Sequence, residues 1–172
     1  YIPLWHNDTF SSEISYDPRD AAKFICAVFQ NLKIHLVSYN IKISMHALSL
    51  MGGNITTSFD DVMLEYHMLD SSAPTDIKSM SVKLGLNDLP SEDSLLGTGK
   101  NKLSFSDIHV DSAANFAIET AFIFGQMHKV IYTSLSKEKL MLEDYKDYEL
   151  PLIHVLWQME HTGVYIDRNE LA

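Results

Sequence analysis

The side chains of this chain able to ligate a metal or move a proton include the adjacent carboxylates Asp60 and Asp61, the carboxylate Glu119, and eight histidines. Carboxylate oxygens suit hard divalent cations, because anionic oxygen offsets the charge. His6, His35, His46, His67, His109, His128, His154 and His161 show no metal-ligand spacing and read as surface or half-buried residues. Asp60 and Asp61 precede an apolar helical run, which makes them helix-capping residues first and candidate ligands second. Glu119 stands beside Thr120, but neighbours on a helix diverge by about 100°, so the two face apart. Lys100 and Lys102 form the one local basic cluster, in the stretch Gly97-Thr-Gly-Lys-Asn-Lys102. No strand directly precedes it and the Lys-Ser/Thr ending of a phosphate-binding loop is missing, so solvation is the plain reading of both lysines. Cys26 stands alone, which excludes an intramolecular disulfide and a cysteine-based zinc site and points to a reducing, cytoplasmic setting.

The elements that must carry these residues follow from local pattern. Tyr1 to His6 is predicted as an edge strand, since Pro3 cannot donate to a ladder. Asp17-Pro18 starts a helix with apolar residues Phe24, Ile25, Val28, Phe29 and Leu32 on one face. Ile34 to Tyr39 is too brief for a helix and reads as a buried strand. A short helix carrying Met45, Leu48 and Leu50 stops at Gly52-Gly53. A second strand-to-helix passage spans Ile55 to Asp70, and Ala73-Pro-Thr-Asp76 caps a further helix ending near Gly85. Asn87 to Ser106 reads as a long, mobile loop. Asp111 opens the longest helix, through about Leu135, apolar nearly all round and so predicted buried on most sides. Lys137 to Asp147 reads as a charged linker. A final helix runs from Glu149-Leu-Pro151 to Gly163, Val164 to Asp167 is extended, and Asp167 and Glu170 have capping-box spacing. Strands alternating with helices, without a hairpin signal, imply an α/β domain with a small sheet.

Composition agrees with one folded domain. The chain has 172 residues, 46% hydrophobic and 21% charged, which excludes a disordered or fibrous protein. With 13 Lys+Arg against 23 Asp+Glu, the net charge of -10 opposes nucleic-acid binding by bulk charge. The richest apolar run, Ala113 to Met127, contains Glu119, so no membrane span is expected. No charged leader precedes an apolar stretch, and the start at Tyr1 rather than Met reads as a processed or excised piece.

Several stretches, in order, resemble the 3′-5′ exonuclease domain of bacterial family A DNA polymerases, the DNA polymerase I type. Tyr1-Ile-Pro-Leu-Trp-His6 is similar to the family's Y-[IV]-P strand. Val37-Ser-Tyr-Asn-Ile-Lys-Ile-Ser44 is similar to the second exonuclease motif, which usually ends N-x-K-[YF]-D. Phe59-Asp-Asp-Val-Met-Leu64 resembles F-D-T-M-L, and Gly97-Thr-Gly-Lys100 resembles the G-x-G-K loop. Ala114-Asn-Phe-Ala-Ile-Glu-Thr120 lies where Y-x-x-x-D belongs. Glu149 to Asp167 resembles the segment leading from exonuclease into polymerase, and is the most specific of the matches.

The resemblance implies a ribonuclease H-like α/β fold with a small mixed sheet, residues 1–142 forming the exonuclease-like domain and 143–172 a connecting helix toward a polymerase domain. It also implies that the D-x-E on the family's first, central strand lies upstream of Tyr1, so the first strands are absent from this chain. The family hydrolyses the 3′-terminal phosphodiester with two divalent metals held by carboxylates. Here the matched positions are Ser44, Phe116 and Thr120, none of which ionises as a carboxylate does. A catalytically silent domain is therefore the leading expectation, with a structural role or weak contact to single-stranded DNA, and no cofactor. Asn40, Lys42, Lys100 and Lys102 are the candidate nucleic-acid contacts. Two alternatives stand beside it. One is a working nuclease using Mg2+ or Mn2+ on upstream or recruited carboxylates such as Asp61 or Glu119; the other is a non-enzymatic nucleic-acid-binding module.

Overall fold

In the computed structural model, residues 1–4, 6–7, 16–86, 90–167 and 170 are described. Asp17 starts the first helix, α1 (Pro18–Asn31), by accepting from the N–H groups of Arg19 and Asp20 at 2.8 and 3.4 Å, with Pro18 at the first helical position. Strand β1 (Leu36–Ser38) follows, then α2 (Ile41–Leu50), β2 (Phe59–Asp61) and α3 (Val62–Leu69). The two strands run parallel, Leu36 opposite Phe59 and Ser38 opposite Asp61, with α2 in the crossover that parallel pairing demands. Beyond them lie α4 (Ile77–Lys83), α5 (Glu92–Leu96), α6 (Val110–Leu135), α7 (Lys139–Asp144), a π-helical turn (Tyr145–Glu149) and α8 (Leu150–Thr162). The architecture is α/β, mostly helical around a two-stranded parallel sheet.

The sheet divides the apolar core. Leu36 and Phe59 pack with Ile41, Met45 and Ile55 and with Ile153 of α8. Val37, the next residue along β1, packs against the group formed by Val62, Tyr66, Met80, Ile123, Met127 and Ile131. This alternation is the period-2 geometry of a strand covered on both faces. A smaller group, Leu96, Ile108 and Ala113, anchors the segment that leads into α6. Gly53 is buried where the turn after α2 meets α1; a Cβ there would lie 3.0 Å from Cys26 Sγ and 3.3 Å from the Ala22 carbonyl oxygen, so the close approach of the two segments requires glycine. Gly163, at φ +70°, ends α8 in a conformation that L side chains rarely adopt.

Five sequence expectations are corrected. Tyr1 to His6 is not a strand where it is described; it is held by the Asn7 N–H on the Ser106 carbonyl and by His6 Nδ1 at 3.2 Å from the Ile108 carbonyl. The apolar face of α1 is covered only in part: Ile25, Val28 and Phe29 are half-buried, while Phe24 and Leu32 are 66% and 69% exposed, and Ala22 is its buried residue. The stretch expected as a long loop carries α5 and two 3-10 turns, because Leu96 is buried; residues 87–89 lie outside the described residues. Helix α6 buries one face through Ala113, Ile123, Met127, Ile131 and Leu135 while Ile118, Phe122 and Val130 are exposed. The charged linker is α7 and the π turn, folded back because Tyr145 is fully buried. The Asp167–Glu170 capping spacing spans residues 168–169, which also lie outside the described residues. Among the described residues no helix is long and apolar enough to cross a membrane.

Candidate functional site

Helical spacing puts Phe116 and Thr120 on one face of α6, and both line a cleft with Lys78, Glu92 and Lys102. The Thr120 hydroxyl oxygen is shielded from solvent and lacks a hydrogen-bond partner. Ser44 is exposed on α2 and lines a different cleft, against Ile25 and Phe29 of α1 and Val37 of β1. Ser44 and the Phe116–Thr120 pair thus line different clefts. Glu119 is exposed.

The basic candidates are partly engaged. Lys42 Nζ is 2.5 Å from Glu160 Oε1, and His46 Nε2 is 2.9 Å from Glu160 Oε2, so one carboxylate ties α2 to α8 at the surface. The hydrogen bond from Lys42, helped by His46, holds the Glu160 carboxyl below its usual range. Lys102 Nζ lies 2.9 Å from Glu92 and 3.7 Å from Asp93. Lys100 is exposed in a 3-10 turn. Asn40 sits in the left-handed region at φ 52°, just before α2, and its side chain caps nothing.

What the fold does bring together is a buried polar knot at the end of β2. Asp61 caps α3, its Oδ1 accepting from the N–H groups of Met63 at 3.0 Å and Leu64 at 3.2 Å. The same carboxylate reaches across to α2, where Oδ1 accepts from the Asn40 N–H at 3.2 Å and Oδ2 from the Ile41 N–H at 2.8 Å. Four backbone donors that a helix start leaves orphaned thus converge on one side chain. Burial raises the Asp61 carboxyl above its ordinary range, and these four N–H groups oppose the rise.

Asp60 makes side-chain contacts instead of capping. Its Oδ2 is 2.7 Å from His35 Nε2, and its Oδ1 accepts from the Tyr145 hydroxyl at 2.9 Å. That hydroxyl in turn accepts from the Asp61 N–H at 3.1 Å. Glu65, one turn into α3, has no exposed surface, and both its oxygens lie against His128 Nδ1 on α6 at 2.9 and 3.0 Å. Burial, with the Asp60 and Asp61 charges nearby, pushes the Glu65 carboxyl up to about 9. Burial lowers His128; the Asp60 charge opposes that and His35 adds to it. Burial, then the Glu65 charge, raises the Tyr145 phenol well above its ordinary value. The pair at neutral pH is therefore a protonated carboxyl donating to a neutral imidazole.

Asp60, Glu65 and His128 offer ligand atoms that all lie within 4.8 Å of one another, the mixed oxygen and nitrogen donor set of the described residues able to hold a metal ion. Sequence reasoning missed this trio. Asp60 was visible as an acid, but Glu65 sits in an apolar run, His128 on an apolar helix, and Tyr145 in a segment read as linker. The one available signal was an ionisable residue on an otherwise apolar helical face.

No protein-family model matches the chain. Among curated proteins it is similar to DNA polymerase I of Pseudomonas aeruginosa, 33% identical over 114 residues, covering 65% of this chain and 12% of that protein. The likeness to the Chloroflexus aurantiacus DNA polymerase I is 28% over 172 residues, 99% of this chain and 18% of that protein. For the Rhizobium leguminosarum DNA polymerase I it is 29% over 181 residues, 100% of this chain and 18% of that protein. The chain is related to bacterial DNA polymerase I. It spans less than a fifth of the length of these relatives, and in two of them the likeness runs through both the exposed candidate positions and the buried knot.

Proposed function

We propose that the chain is a catalytically silent, ribonuclease H-like 3′-5′ exonuclease domain, with residues 1–142 as the domain and 143–172 as the connection toward a polymerase domain. The observation that supports silence is chemical: the positions matched to the family's metal carboxylates are Ser44, Phe116 and Thr120. Alcohols carry no charge at neutral pH and a phenyl ring offers no ligand, so a pair of dications would lack the anionic oxygens that bind them. The separation of Ser44 from the other two into different clefts supports the same reading. The residual role is structural, beside a polymerase domain in the cytoplasm. The exposed Met159, Val164 and Tyr165 at the end of the chain, 64%, 86% and 92% exposed, suit burial against such a neighbour.

The test is hydrolysis of a 3′-labelled single strand by the full-length gene product with Mg2+ or Mn2+. No shortening from the 3′ end is expected. Shortening that disappears in Asp61→Asn or Glu119→Gln would overturn silence in favour of recruited ligands.

Weak contact with single-stranded DNA is part of the proposal, through Asn40, Lys42, Lys100 and Lys102. Because Lys42 and Lys102 already hold carboxylates, the affinity should be low and steeply salt-dependent.

A further inference from the structure

The side chains around Asp60 and Glu65 leave an electrostatic shortfall. Asp60, Asp61 and Glu65 are buried, at 8%, 2% and 0% exposure, and no lysine or arginine forms an ion pair with any of them among the described residues. Asp61 is provided for by its four backbone donors. Asp60 and Glu65 are not. Their four oxygens are faced by the Tyr145 hydroxyl, one His35 nitrogen and one His128 nitrogen, and the two Glu65 oxygens share the last of these. Glu65 is neutral as long as it keeps its proton, and it has the Tyr145 hydroxyl beside it as well as His128. Ionised together, the two carboxylates would offer roughly eight acceptor sites to these three groups, so ionising Glu65 calls for a cation that takes the place of its proton.

The donors come from three elements that the core holds rigidly: β2, α3 and α6. Val62, Tyr66, Met127 and Ile131, which flank them in sequence, are all core residues. Contacts behind the donors resemble those that orient metal ligands: His35 and Tyr145 both fix the Asp60 carboxylate.

We propose that Asp60, Glu65 and His128 form a structural zinc site that pins α6 to β2 and α3, distinct from the exonuclease positions at Ser44 and Thr120. One imidazole nitrogen and two carboxylate oxygens are a donor set zinc accepts, with a water completing four-fold coordination. Ligand atoms within 4.8 Å of one another need to close by up to about 1.5 Å to reach the edge of a zinc tetrahedron with roughly 2.0–2.1 Å bonds. His128 then binds through Nδ1 and carries its proton on Nε2. The site stands independently of the exonuclease reading, because none of its ligands belongs to the matched metal positions.

The experiment titrates the metal-stripped chain with zinc, following thermal unfolding, and with cobalt, following visible absorption. Wild type should bind a single zinc with a rise in Tm, and cobalt should give the intense bands of a four-coordinate site that zinc then bleaches. Glu65→Gln keeps the shape of the side chain, so it should fold yet lose affinity by more than about 100-fold, beyond the roughly 10–100-fold that loss of an outer contact costs. His46→Gln, at the surface contact with Glu160, should bind as wild type does. Equal zinc affinity in Glu65→Gln and wild type, loss of binding in His46→Gln, or no rise in Tm with zinc would each overturn the site.

Discussion

The exonuclease-matched positions and the polar knot differ in what surrounds them. Ser44 is exposed, Phe116 and Thr120 line a cleft, and the Thr120 hydroxyl lacks a partner. Asp60, Asp61, Glu65, His128 and Tyr145 are joined by a chain of hydrogen bonds across β2, α3, α6 and the π turn, with Asp61 reaching on to α2. The side chains at Ser44, Phe116 and Thr120 are uncharged at neutral pH, so no buried charge has to be balanced there, and Phe116 sets its ring 5.7 Å from that of Phe105. A buried ionisable group, by contrast, must be hydrogen-bonded or neutralised, or the domain loses stability.

The contrast breaks first at Asp61. Asp61→Ala would strand four backbone N–H groups, two of them in the first turn of α3, and is expected to cost about 3–5 kcal/mol. Urea unfolding measures this; a loss under about 1 kcal/mol would mean that water replaces the carboxylate and that the knot is not what joins α2 to α3.

Second comes pH. Glu65 has its folded-state value raised from 4.5 to about 9, so the folded chain holds a proton that the unfolded chain gives up. The favourable contribution is therefore complete below about pH 4.5, declines as pH rises, and is gone above about pH 9. His128, lowered from 6.5, acts in the opposite sense: its contribution is present above that pH and is lost as pH falls through its folded value. Glu65→Gln removes the first dependence alone. In metal-free buffer its stability relative to wild type should grow steadily between pH 5 and 9. A pH-independent difference between the two would place an ionised carboxylate at Glu65 throughout.

The smallest effects belong to the matched positions. Ser44→Ala, at an exposed site, should change stability by less than about 0.5 kcal/mol. Thr120→Val removes a buried hydroxyl that has no partner and should be neutral or stabilising by up to about 1 kcal/mol. Destabilisation of 2 kcal/mol or more in thermal or urea melts, on the order of a lost buried hydrogen bond, would show that Thr120 is held by something the contrast leaves out.

Much of the local structure was legible in the chain because its signals are local. Asp17-Pro18, Asp76 and Gly163 mark helix ends, and the structure places α1, α4 and α8 by them. Asp61 was legible as a cap for the same reason, since a carboxylate two and three residues before free N–H groups needs no distant partner. The stretch from Lys137 to Asp147 was misread because charge and polarity along it are high, while one residue, Tyr145, decides its path by fitting between Asp60 and Asp61, about eighty-five residues away in sequence. Pairing at that separation leaves no periodic trace.

By itself, the sequence determined the helix starts and stops and the strand–helix alternation, both of which depend on residue type and near neighbours. Only the tertiary structure decided which ionisable groups lose their water together. Glu65 and His128 are sixty-three residues apart and unremarkable in isolation; packing α3 on α6 removes solvent from both at once, and from that desolvation come the shifted carboxyl, the shared proton and the donor set for a metal.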